Sequence, residues 1–217
     1  MMNWMMIELD KSNVDATGNQ TRRMQRFSTR DLVYIAVLSA LWAASENLLG
    51  GQLHAMNVPL SGAILAAIAV FLMVTCRSLV PKVGSILMMG IVVALLRVLG
   101  IGGIVLSPMI AIFMEAALVE LAMTVGGTTL LASSVGGLLA DMYSIVHPFI
   151  FQPLLFGTSM LIIYQKTISA ASKIFGIDPA NVILIFLALA ISQGILGIIG
   201  GVAGWKFSAR AKQALRR

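Results

Sequence analysis

The chain has 217 residues, 59% hydrophobic and 11% charged, with a mean hydropathy of +0.94; soluble domains carry about 25% charged residues, so a water-soluble fold is excluded. The net charge of +6 is not a nucleic-acid signal, because Arg22, Arg23, Arg26 and Arg30 precede the first apolar run and Lys206, Arg210, Lys212, Arg216 and Arg217 follow the last. Cations that flank hydrophobic runs set membrane topology.

Residues 1–30 are polar apart from a short Met-rich start. A secretory signal needs a basic stretch followed by an apolar core, and Met1–Ile7 is too short and is flanked by Glu8 and Asp10. This segment reads as a flexible cytoplasmic tail. Six apolar segments follow, at 32–51, 59–76, 83–100, 104–125, 128–147 and 182–205, each near the roughly 20 helical residues a bilayer core requires. Cys76, the single cysteine, lies in the second and reads as helix packing, since one cysteine makes no disulfide framework. The hairpin 77–82 carries Arg77 and Lys82, whereas the opposite side carries only Lys166 and Lys173. The positive-inside rule therefore predicts an all-α, six-transmembrane-helix bundle over 31–207 with both termini cytoplasmic and a basic cytoplasmic tail at 208–217.

Residues 149–165 are nearly long enough for a seventh span, which would put the C-terminal cations outside. The whole stretch 148–181 is read instead as an extended outer segment between helices 5 and 6. It is helical in part, with Pro148 and Pro153 interrupting regular structure, and is either a lid over a pocket or an interfacial helix. The short links VGGTT (125–129) and GIGG (100–103) make neighbouring helices antiparallel. No phosphate-cradling loop, metal-ligand cluster or nucleophile motif is visible, so neither an enzyme nor a resident metal or cofactor is expected, and any ATP must be hydrolysed by a partner.

Ionisable groups inside a span are costly and mark functional sites. Glu46, Arg97, Glu115 and Asp141 fall on four helices between mid-membrane and the outer face, where a small polar ligand entering from outside would be held. Trp42, one turn before Glu46, and Tyr143, one turn before His147, supply aromatic surface or simple interface anchors. Asn47, Gln152 and Gln193 add hydrogen bonds, and His54 and His147 sit at outer helix ends. Arg97 facing Glu115 or Asp141 is equally read as a structural ion pair. Glu120, five residues after Glu115, points about 140° away from it and suits an inner interface.

Ala36, Ala40 and Ala44 recur at four-residue intervals and share one face of the first helix. Small faces let helix backbones approach closely in lipid. Their partner is either another subunit or the similar face of Gly197, Gly200, Gly201 and Gly204 on the last helix.

In their order, STRDL, the stripe AVLSALWAA, VPLSGAI, LVPKVGSIL, FMEAALVELAM and a Gly-rich last helix running into basic residues resemble the substrate-capture (S) component of energy-coupling factor transporters, over about residues 28 to 212. The hairpin PKVGS and the tail look most like members associated with thiamine or its hydroxymethylpyrimidine precursor. The resemblance implies a six-helix subunit in the plasma membrane that captures a vitamin, vitamin precursor or similar micronutrient and docks on a transmembrane coupling subunit carrying two cytoplasmic ATPases. It assigns the docking contact to Ala36, Ala40 and Ala44. The segment 148–181 is longer than that family's usual fifth loop. The alternative is a stand-alone, ion-coupled secondary transporter.

Overall fold

The computed structural model describes residues 26–55, 60–98 and 106–214. The N-terminal cations Arg22 and Arg23, most of the predicted tail, the links at 56–59 and 100–103, and Arg216 and Arg217 lie outside the described residues, as does the side chain of His54.

Helix α1, Thr29–Ala44, begins at a reciprocal cap: Asp31 N donates to Ser28 Oγ (3.3 Å) and Ser28 N donates to Asp31 Oδ2 (2.8 Å). It runs into a π-helical turn, Ser45–Leu49, and then the short α2, Gly50–Ala55. Helix α3, Ser61–Leu79, and α4, Ser85–Val98, form a hairpin whose turn is the basic stretch around Lys82. Helix α5 is Leu106–Val125 and α6 is Leu130–Phe156, with Thr129 Oγ1 accepting Ala132 N at the α6 start (3.1 Å). Helix α7, Met160–Phe175, is set between a Ser159 cap and Gly176 in left-handed conformation (φ +66°). Helix α8, Val182–Ala214, closes the described chain.

The described residues contain no strand. Five helical stretches are long and apolar enough to cross a membrane: Thr29–Leu49, α3, α5, Leu130–Leu155 within α6, and α8. The remaining predicted span, 83–100, is represented by α4 alone, which at 14 residues covers about 21 Å of a roughly 30 Å hydrocarbon core before the described backbone stops. Large apolar side chains face outward on every one of these helices except the central α3, among them Leu41, Leu95, Leu121, Leu131 and Ile183. A water-soluble monomer does not expose apolar surface on this scale; a multi-pass membrane protein does.

Helix α3 is the hub, packed against α1, α4, α5, α6 and α8. Around it Trp42, Val70, Met73, Met89, Val119 and Met123 form the main core, all fully buried. The α6–α8 and α3–α8 crossings are close because glycines face backbone. A β-carbon on Gly137 would run into the Gly197 carbonyl, and one on Gly200 into that of Ala67. The glycine face of α8 is thus used inside the chain, on α3 and α6, and its expected meeting with the alanine stripe of α1 does not occur. Ala36, Ala40 and Ala44 are all exposed on the outward side of α1.

One expectation about the outer segment is corrected. Pro148 and Pro153 do not end the helix: α6 continues through both to Phe156 and stops at Gly157, in left-handed conformation (φ +62°). Proline removes one donor and crowds the preceding turn, but in lipid-embedded helices nearby groups re-satisfy the freed carbonyls. The irregular outer segment shrinks accordingly, and most of what remains is α7. Its inner face, Ile168 and Ala171, packs on Ile185 and Leu189 of α8 as a second, smaller core.

Candidate functional site

Two clamps fix the end of the bundle that carries Arg77 and Lys82. Lys82 Nζ donates to Asp31 Oδ2 (2.6 Å) and to Arg26 O (2.7 Å), binding the hairpin turn to the start of α1. From the other side, Glu120 accepts Gly84 N (2.9 Å) and Ile86 N (2.8 Å), caps the free donors of α4 and lies 3.4 Å from Arg77 Nη1. Glu120 is therefore a brace for the hairpin and no part of the outer polar layer. Trp205 Nε1 adds a bond to Thr128 O (3.1 Å), tying α8 to the α5–α6 turn.

The predicted polar layer lies toward the opposite end. Glu46 and Asn47 sit in the π turn, a form of helix common at functional sites. Arg97 Nη1 donates to Asn47 Oδ1 (2.8 Å). Glu115 is buried on α5. Asp141 is fully buried on α6, with neither carboxylate oxygen hydrogen-bonded. His147, also buried, is held from both sides: Ser107 Oγ is 3.0 Å from Nε2 and Tyr143 Oη is 3.0 Å from Nδ1, while Phe151 stacks on the ring at 4.7 Å. So the structure buries Glu115 on α5 and Asp141 on α6, joins Arg97 to Asn47, and joins Tyr143 to His147.

Trp42 does not belong to it. The ring is fully buried in the main core and is not an exposed interface anchor. The π turn, Ser45–Leu49, begins between Trp42 and Glu46.

Among the described residues, a large opening lies elsewhere. A cleft of about 990 Å³ lies between α7, the start of α3, and the outer parts of α6 and α8. Of the polar residues singled out from the sequence, Gln193 lines it; Glu46, Arg97, Glu115, Asp141, Trp42, Asn47, Tyr143 and His147 do not. Ser144, next to Tyr143, reaches the cleft and donates through Oγ to Gln193 Oε1 (2.6 Å). Lys166 and Lys173, read as weak topology markers, are wall residues of this cleft. The signal that reveals them is local: a Ser cap at 159, a Gly stop at 176, and an apolar face between them, which together declare α7 an amphipathic helix.

This chain matches no protein-family model, no curated protein and no solved structure.

Proposed function

We propose that the chain is the high-affinity substrate-binding membrane subunit of an ATP-driven importer for a vitamin, a vitamin precursor or a similar micronutrient. It crosses the plasma membrane six times with both termini in the cytoplasm. The ligand enters from the far side and is held by Glu46, Arg97, Glu115 and Asp141 with Asn47, Tyr143 and His147. Transport is driven by a transmembrane coupling subunit and two cytoplasmic ATPases. The observation that carries this reading is the outward exposure of Ala36, Ala40 and Ala44, a small-residue face that no helix among the described residues covers. Such a face suits a second protein's helix.

The test is co-expression with candidate coupling modules. Ala40→Leu is expected to abolish co-purification of the partner subunits and uptake, while the small molecule released on denaturing the isolated chain stays bound in stoichiometric amount. Loss of that molecule with an intact complex sinks the assignment.

The unpartnered Asp141 carboxylate favours a second reading, a stand-alone ion-coupled carrier. In that case the purified chain alone accumulates solute in liposomes under an ion gradient, and Asp141→Asn stops it.

A further inference from the structure

The cleft beneath α7 differs chemically from the buried carboxylate layer. Its volume, about 990 Å³, matches the upper end of small-molecule sites, roughly 300–1,000 Å³. Lys166, Ser169 and Lys173 follow one another at three- and four-residue steps on α7 and line the same wall. Their orientation is not free, because Ile168 and Ala171 on the other face are locked against Ile185 and Leu189.

Across the cleft, Gln193 Oε1 stands 2.6 Å from Ser144 Oγ, and the side-chain amide carries two N–H donors. Lys166 and Lys173 bring ammonium groups, and no carboxylate lines the cleft. Asp178, the acidic residue just past α7, stands outside the lining, with Oδ1 accepting Ala180 N (2.8 Å). Among the described residues the lining carries two cations and no anion, beside the neutral Ser61, Ser144, Gln165, Ser169 and Gln193. Leu53, Leu60 and Ile174 supply an apolar border. Leu60 holds a left-handed backbone (φ 56°, ψ 27°), rare for a non-glycine residue and of a kind that concentrates at ligand clamps.

We propose that this cleft binds an anionic group, a carboxylate or a phosphate, borne on a small apolar body. Lys166 and Lys173 hold the charge, Gln193 donates to it, and Leu53, Leu60 and Ile174 contact the apolar part. A dissolved metabolite and the headgroup of an anionic lipid share this chemistry. The inference rests on the cleft alone and holds whether or not the chain docks on a coupling subunit.

The test uses the full chain in phosphatidylcholine nanodiscs, titrated with phenyl phosphate and followed by calorimetry and phosphorus NMR line width. Saturable binding is expected, weakened by about tenfold or more in the Lys166→Gln/Lys173→Gln double variant. It is retained in the Lys166→Arg/Lys173→Arg variant, and also in Ala40→Leu, which separates this site from the docking face. If phosphatidylglycerol in the nanodisc competes with the probe, the natural anion is a lipid headgroup; undiminished binding assigns the cleft to a free solute. No saturable binding to the wild type, or equal affinity in the Gln double variant, overturns the proposal.

Discussion

Asp141 and Gly197 meet at the α6–α8 crossing, where a β-carbon on Gly197 would stand 2.6 Å from Asp141 Oδ2 and would also strike the Gly137 carbonyl. The carboxylate therefore occupies room that exists only because residue 197 lacks a side chain. Gly197→Ala is expected to push the helices apart and destabilise the protein by about 2–3 kcal/mol, as overpacking does. Gly194→Ala is the control, since its new β-carbon would meet the movable end of Leu138 (Cδ1, 2.9 Å). Thermal melting of the detergent-purified variants should show a clear drop for the first and a much smaller one for the second.

Glu120 and Arg77 form a buried ion pair at the hairpin, with side chains 5% and 7% exposed. Removing one partner leaves the other charge uncompensated, which costs about 3 kcal/mol or more. Glu120→Ala also frees the backbone donors of Gly84 and Ile86. The expected result is a large loss of stability in a reversible SDS titration. Arg77→Met added to Glu120→Ala should recover part of it, giving a non-additive cycle.

Pro153 lies one turn from the end of α6 and denies a hydrogen bond to Phe149 O. Pro153→Ala restores the donor and removes the ring's crowding, so stability should rise by about 1 kcal/mol or more, even after the looser unfolded chain is counted. A melting scan measures it; a fall would mean that the proline-shaped turn is itself needed for packing.

His147 takes one hydroxyl on each ring nitrogen. A neutral imidazole has one donor and one acceptor nitrogen, so one hydroxyl gives a proton and the other receives one. Ser107→Ala and Tyr143→Phe should each cost about 1 kcal/mol. Because both act through the same ring, the double variant should depart from their sum by about 0.5 kcal/mol or more, as SDS titration of the three variants would show.

The sequence made the long helices readable wherever apolar length was the signal, as in α3, α5 and α8. Glu120 was readable too, because five residues from Glu115 turn a side chain to another face. The rotation of α1 was not. A lipid-exposed helix is apolar all round, so periodicity does not distinguish Trp42, which is buried, from Ala40, which is exposed. The helix through Pro148 was hidden for a different reason: proline's penalty is local, and packing around the outer end of α6 outweighs it. Lys166 and Lys173 were legible as charges but not as a wall, since the cleft exists only once Ile168 and Ala171 have fixed the roll of α7 on α8.

Helix α8 has 33 residues, about 50 Å at 1.5 Å per residue, against a hydrocarbon thickness of about 30 Å. Its exposed face is isoleucine and leucine from Ile183 to Ile199 and then turns cationic at Lys206, Arg210 and Lys212. The greasy stretch and the charged one belong to a single unbroken rod, so neither can slide independently of the other. A first exposed cation at Lys206 is expected to lie near the membrane surface, and glycine contacts along α3 and α6 couple that helix to the rest of the bundle. A substitution that moves the first cation along α8 should therefore raise or sink the whole molecule in the bilayer, and not that helix alone.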